Sequence, residues 1–197
     1  DGAVGAAVET YRPSVIVNGA AYNDVDGAES NPVAALEANA FAVRGLARAA
    51  AASGAALVHY SSDFVFDGTA SRPYAEEDRP NPQGVYAASK LLGEWFALEA
   101  GRAYVLRVES LFGAPPGSGA RKGSLAGLVD AIVAGREVPV FVDRTVSPSY
   151  VVDVADATRR LVEAERDTGL FHCVNAGACS WHDVAAEIAR LLGKTAA

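Results

Sequence analysis

The sequence predicts an α/β protein in which helices connect the strands of a parallel sheet. Three observations predict it. Short β-branched runs alternate with longer Ala-rich segments, the pattern of repeated βα units. Half of the 197 residues are hydrophobic, enough to build the core of one sizeable domain, or of a domain with a small lobe. Pro and Gly punctuate the places where the periodic segments begin and end.

In chain order, "SVIVNGA" (14–20) predicts a buried strand. "NPVAALEANAFAVRGLARAAAASG" (31–54) predicts a helix with Pro32 in its first turn and Gly54 after its end. Strand "AALVHYS" (55–61), a Pro- and acid-rich loop (68–83), a helix from Val85 to Ala100 and strand "AYVLRVESLFG" (103–113) follow. "GAPPGSGARKG" (113–123) is loop chemistry, so the first domain is placed at 1–113 and a second lobe at 114–197. The lobe reads as a helix (124–135), a strand "VPVFV" (138–142), a polar stretch to Tyr150, a helix (152–165) returning to the first domain's sheet, strand "GLFHCVN" (169–175) and a closing helix (181–192).

Composition excludes several function classes. Net charge is −7, with 17 basic residues scattered among 24 acidic ones, so no nucleic-acid partner is expected. The longest apolar run, "LARAAAASGAALV", is interrupted by Arg48, Ser53 and Gly54 and is shorter than the ~20 residues that span a bilayer. No membrane partner is expected. Cys173 and Cys179 make neither a disulfide framework nor a metal knuckle, and His59, His172 and His182 lack a ligand spacing, so no metal site is expected. With no signal peptide visible, the expected compartment is cytoplasmic. A dinucleotide fold carries a Gly-rich loop after its first strand; the nearest candidate, "DGAVG" at the start, has no strand before it, and Asp1 reads instead as a helix N-cap.

Two places carry chemistry. In "VHYSSDFVFDG" (58–68), Ser61, Ser62 and Asp63 interrupt an apolar strand where it ends. Such residues form turns, yet strand ends of α/β sheets are also where ligands bind. In "GVYAASKLLGE" (84–94), Tyr86 and Lys90 stand four apart on one helical face. A phenol, with an ordinary pKa of about 10, beside an ammonium is a tunable proton donor.

The order Ser62, Tyr86, Lys90 resembles the short-chain dehydrogenase/reductase superfamily. "VIVNGAAYNDVDGAE", "VHYSSDFVFDG", "PYAEED", "VYAASKLLGE" and "GLFHCVNAGACSWHDVA", in that order, resemble its extended, sugar-nucleotide branch, the dTDP-4-dehydrorhamnose reductase family. The resemblance implies a partial Rossmann doubly wound sheet with a small substrate lobe, and NADPH or NADH as cofactor. It further implies a nucleotide-sugar substrate whose carbonyl Ser62 would hold and Tyr86 would protonate. Lys90 would lower the Tyr86 pKa and hold the nicotinamide ribose. Gly19, Ala20 and Ala21 would line the dinucleotide, their small side chains admitting it closely. Val25, Asp63 and Phe64 would line or orient the substrate, and Asn39 would brace the neighbouring strand. Family members carry their Gly-rich turn ahead of the position where residue 1 stands, so the resemblance implies a chain shortened at both ends. Such a chain should bind NADPH poorly by itself, with an exposed sheet edge that makes a homodimer one expectation. One departure bears on the sugar: where the family has "RTSWVYG", this chain has "RVESLFG", with Ser110 in place of an aromatic. Two rival readings share these motifs: an epimerase or dehydratase of the same superfamily, and a non-catalytic regulatory subunit resembling the β subunit of methionine adenosyltransferase.

Overall fold

The computed structural model describes residues 2–114, 123–164 and 167–194. The expected N-cap at Asp1 and most of the expected boundary loop lie outside the described residues. The chain divides into two units, one formed by Asp1–Val108 with Leu161–His172 and the other by Glu109–Arg160 with Cys173–Ala197.

In the first unit, helix α1 (Gly2–Tyr11) leads to strand β1 (Val15–Asn18). Helix α2 (Val25–Ser30) follows, started by Asp24, whose carboxylate accepts the Gly27 N–H. Helix α3 (Pro32–Leu36) passes through a π-helical turn at Glu37–Phe41 into α4 (Ala42–Ser53), which Gly54 ends in the left-handed conformation. Strand β2 (Ala56–Ser62), helix α5 (Val85–Leu98) and strand β3 (Ala103–Val108) complete the run. The sheet has the order β1-β2-β3-β7, where β7 is Gly169–His172, and every pairing is parallel.

The core explains the Ala-rich composition. Val43, Ala47 and Ala50 of α4 and Ala97 of α5 pack with Ala55, Leu57, Ala103 and Val105 in one cluster. Small side chains on the helices let them lie close to the β-branched sheet, and parallel strands covered in this way read as continuous apolar runs. All six residues of β3 are buried.

In the second unit, β4 (Leu111–Phe112) pairs in parallel with β6 (Ser149–Tyr150), and β5 (Thr145–Val146) pairs antiparallel with β8 (Cys179–Ser180). Helix α6 (Ser124–Val133) packs with α8 (Trp181–Leu191), which opens on a capping box between Ser180 and Asp183. Helix α7 runs Val151–Glu163.

Several expectations need correction. Helix α2 was not anticipated; its signal is the Asp24 cap ahead of a short turn. The segment 103–113 is two strands, because Ser110 adopts φ 43, a left-handed conformation that breaks the extended backbone. Residues 138–142 form no strand: Val142 is 72% and Phe141 63% exposed, and Pro139 removes a ladder donor. Strand 169–172 joins the first unit's sheet beside β3 rather than the lobe. Its apolar run looked like lobe material because sequence order hides a chain that leaves a sheet and comes back.

One contact sets how close α5 comes to the rest of the first unit. A Cβ built on Gly93 would stand 2.2 Å from the Asn39 carbonyl oxygen in the π-helical turn and 3.2 Å from His59 Nε2. Gly93→Ala should therefore destabilise the protein by about 2–3 kcal/mol, at the upper end of overpacking penalties. Gly127→Ala in α6, where a Cβ meets nothing within 4 Å, should be neutral or stabilise by up to ~1 kcal/mol. Denaturant titration of both variants checks the contrast, and equal stabilities would refute the close approach.

Candidate active site

The interruption at the end of β2 is a cap. Ser62 is the last strand residue, and its hydroxyl oxygen accepts the Phe64 N–H at 3.2 Å, starting a single 3-10 turn over Asp63–Val65. The same hydroxyl donates to Asp63 Oδ1 at 2.8 Å. Ser61 is 2% exposed, and its Oγ has no hydrogen-bond partner. Turn formation and the candidate chemistry thus fall on the same residue, since the Ser62 hydroxyl also acts on the phenol of Tyr86.

Helix α5 delivers that phenol. Its first N–H groups have no helical partner, and the Val85 N–H is taken by Glu29 Oε1 of α2 at 2.7 Å. Tyr86 then sits one turn before Lys90, both buried. Phe64 meets the Tyr86 ring edge-on at 5.7 Å, and Tyr22, Val25, Ala28 and Ala35 pack around it. Val25 and Phe64 therefore wall the phenol. Burial raises the Tyr86 pKa, the Ser62 hydrogen bond opposes the rise, and the Asp63 charge adds to it. Lys90 donates from Nζ to the Tyr60 carbonyl at 2.6 Å. Burial pushes its pKa down to about 8, with Glu94 acting against the fall. The net shift of the Tyr86 pKa is upward with desolvation as its largest cause, and the phenol stays protonated.

The turn after β1 is held at both ends by asparagines. Asn18 Oδ1 accepts the Ala20 N–H at 3.2 Å. Asn39 accepts the Tyr22 N–H at 2.8 Å and donates to the Tyr22 carbonyl at 3.1 Å and to Ser89 Oγ at 3.0 Å. Ser89 donates to the Tyr86 carbonyl at 2.7 Å, which ties the turn to α5. Between these anchors Gly19 and Ala20 are exposed and Ala21 is half-buried. A Cβ added at Gly19 would meet nothing within 4 Å, so the protein's own packing does not require glycine there.

Some of the surroundings escaped sequence reasoning. Glu94 and Arg107 form a buried, two-pronged ion pair with both contacts at 2.8 Å, and the Arg107 guanidinium lies 4.8 Å from the Phe66 ring centre. Phe66 stacks on Tyr74 at 4.2 Å. The acidic loop is fastened by its own carboxylates: Asp67 accepts from Thr69, Tyr74 and Asn81, Asp78 pairs with Arg72 at 2.7 Å, and Glu76 accepts the His172 N–H of β7 at 2.8 Å. Glu94 was the legible one, standing four residues after Lys90 on the same face. Its partner on β3 was not, since spacing along one helix carries no information about the neighbouring strand. Among the described residues, no group of acidic, His and Cys side chains could hold a metal ion, and no helix is long and apolar enough to cross a membrane.

Known proteins share this arrangement of chain. The sequence profile of the RmlD substrate binding domain matches residues 1–197. The dTDP-4-dehydrorhamnose reductase of Mycobacterium tuberculosis is 41% identical over 172 residues, covering 84% of this chain and 55% of the relative. That of Streptomyces griseus is 37% identical over 198 residues, covering 97% and 63%. The chain thus spans between about half and two thirds of the length of these relatives. Among solved structures, a Bacillus anthracis dTDP-4-dehydrorhamnose reductase in complex with NADP superposes with TM-score 0.91 at 31% identity, covering 98% of this chain and 67% of the other. One from Clostridium acetobutylicum gives 0.90 at 34%, covering 97% and 66%. A full-length profile match, close relatives and a shared fold agree, and the chain belongs to the RmlD substrate binding domain family.

Proposed function

We propose that the complete protein reduces the 4-keto group of a nucleotide-linked deoxysugar with NADPH or NADH. The observation that carries the reading is the convergence of Ser62, Tyr86 and Lys90: a capped hydroxyl that acts on a buried phenol, with an ammonium one helical turn further on. The names of the relatives supply the substrate class.

The residues present fit a dinucleotide. Gly19 opens on empty space that its own fold does not need, so the turn Gly19–Ala21 can admit a flat, polar ligand against its backbone. Lys90 uses one of its three donors on Tyr60, and Tyr86 and Lys90 would meet the nicotinamide half. When bound, the nicotinamide supplies the hydride, which none of these side chains can provide.

The chain's own residues do the rest. Tyr86 is held protonated by burial, the form a general acid needs when a ketone becomes an alcohol. Ser62 spends its proton on Asp63, so the phenol is the ready proton donor of the two. A substrate carbonyl arriving at the pair takes hydrogen bonds from Tyr86 and from Ser62 once Ser62 turns away from Asp63. Tyr86 then passes its proton to the carbonyl oxygen as charge develops there, and the Lys90 ammonium stabilises the phenolate left behind. Val25 and Phe64 exclude water from the phenol.

Tyr86→Phe in the complete protein should lower ketone reduction by about 10²-fold or more while leaving cofactor affinity within a few fold. Steady-state rates and fluorescence titration measure both, and activity within tenfold of the parent sinks the assignment. Lys90→Ala should weaken cofactor binding and turnover together; unchanged affinity argues against a shared ammonium. The pH dependence has a definite sign. Lys90 is cationic below its pKa of about 8 in the folded protein, so kcat/KM should fall as pH rises through that value. A profile flat to pH ~10, the ordinary range of a lysine, contradicts the role. Folding responds in the opposite sense. A lysine pKa depressed from 10.5 to about 8 means the unfolded chain binds the proton more tightly, so this group destabilises the fold fully below pH 8. The penalty, about 3 kcal/mol at most, is relieved as pH climbs towards 10.5. In Lys90→Met the pH dependence of stability over that window should flatten by the same amount.

A further inference from the structure

His59 is 1% exposed in the middle of β2 and takes no part in the chemistry above. Its Nδ1 lies 3.0 Å from Asn18 Nδ2, and Asn18 Oδ1 accepts the Ala20 N–H. The hydrogen positions follow from that backbone amide. The Ala20 N–H can donate and cannot accept, so the Asn18 atom facing it is the carbonyl oxygen. The other end of the Asn18 amide is then NH2, a donor. His59 Nδ1 must present a lone pair, and the neutral ring carries its proton on Nε2. Nε2 is buried without a hydrogen-bond partner, near the point on Gly93 where a side chain would begin. A side chain present only as apolar filler has no reason to carry a buried nitrogen that goes unused.

We propose that His59 is a positioning residue for the turn Gly19–Ala21: its unprotonated Nδ1 sets the orientation of the Asn18 amide, and Asn18 in turn sets the Ala20 N–H and the backbone against which the cofactor lies. This rests on the reading of that turn given under the proposed function. The turn is thereby tied to β2 through His59 and Asn18, and to α5 through Asn39 and Ser89. Since Ser62 lies on β2 and Tyr86 on α5, the two tethers hold the turn in register with both halves of the reacting pair.

Protonation would reverse the relay. A hydrogen on Nδ1 would face the Asn18 NH2, and flipping the amide to relieve it would set NH2 against the Ala20 N–H. The groups packed around His59 resist this. Lys90 on α5 brings positive charge; the register partner on β3 is Val105; β1 brings the neutral Asn18; and the buried α4 residues are Val43, Gly45, Ala47 and Ala50. Glu94 of α5 is bound in its pair with Arg107. Burial first, and Lys90 second, push the His59 pKa down to about 3, which leaves the relay intact across the neutral range.

The test begins with nitrogen-15 NMR of the ligand-free complete protein. His59 should show an unprotonated Nδ1 and a protonated Nε2, with no titration between pH 8 and pH 5. A protonated Nδ1 overturns the proposal. Next, His59→Leu and His59→Gln are compared, because glutamine restores an acceptor for the Asn18 NH2 and leucine does not. His59→Leu should raise the cofactor Kd about tenfold, the scale of one lost buried hydrogen bond, and speed hydrogen exchange at the Ala20 amide, while His59→Gln recovers most of both. Equal behaviour of the two variants overturns the proposal. Should His59→Leu fail to fold, Asn18→Asp decides. One carboxylate oxygen still accepts the Ala20 N–H and the other calls for a proton on Nδ1, so the His59 pKa should rise by more than two units with a switch of tautomer. An unchanged histidine there overturns it too. Failure of the enzymatic reading is separate: it appears as an active Tyr86→Phe variant, whereas the tautomer and the Ala20 exchange rate are read without cofactor or substrate.

Discussion

The first unit depends on one backbone contact, Gly93 of α5 lying on the Asn39 carbonyl of the π-helical turn. A π-helical turn inserts a residue into the helical repeat, and here it carries Asn39 inwards, 1% exposed, with its amide reaching Tyr22 and Ser89. Had α5 carried a side chain at 93, the helix would stand off the β2 face. The Tyr86 phenol would then lose Ser62, and Lys90 would lose the Tyr60 carbonyl. A missing side chain on one helix and an extra residue in another together set the distance at which the phenol meets the hydroxyl.

Burial of charge beside this contact follows its own logic. Lys90, Glu94 and Arg107 are each under 5% exposed, in a region where an unpaired ion costs several kcal/mol. The two-pronged Glu94–Arg107 pair satisfies both partners and spreads the guanidinium over Phe66. Lys90 receives one carbonyl and a distant carboxylate, and its pKa falls accordingly. A lysine kept near neutrality by incomplete compensation is worse for stability and better for handling a proton, a trade common where sites perturb pKa values.

Much of the fold was legible because its signals are local. The strands at 14–20 and 55–61 and the helices at 31–54 and 85–100 show themselves by apolar period and by Pro32 and Gly54 at the ends. The reacting residues were legible because Tyr86 and Lys90 share a helical face and Ser62 ends a strand. What escaped is non-local. Nothing in "EANAF" announces a π-helical turn, and the residue it packs against, Gly93, is more than fifty residues on. Nothing in "RVESLFG" announces the left-handed Ser110, and the apolar "VPVFV" reads as a strand although no neighbouring strand takes it up. The rise of the Tyr86 pKa escaped for the same reason: proximity to Lys90 is visible in the spacing, whereas desolvation belongs to the packed protein. His59 and Asn18 stand 41 residues apart and are joined only when β1 lies beside β2.

The acidic loop over 68–83 has no regular secondary structure, yet it is fastened at many points by three carboxylates. Asp67 and Asp78 are held well below the ordinary carboxylate range by the hydrogen bonds they accept, chiefly from Tyr74 and from Arg72, and Glu76 is lowered by the His172 N–H. Their contribution is present above the unfolded carboxylate pKa and is lost as pH falls through the lowered values. The sheet owes most of its cohesion to apolar burial, which does not titrate. Acidification therefore weakens the fastenings of the loop before it touches the apolar packing of the sheet. To a protease active in acid, this stretch would present itself as a cleavable tether on an otherwise intact body.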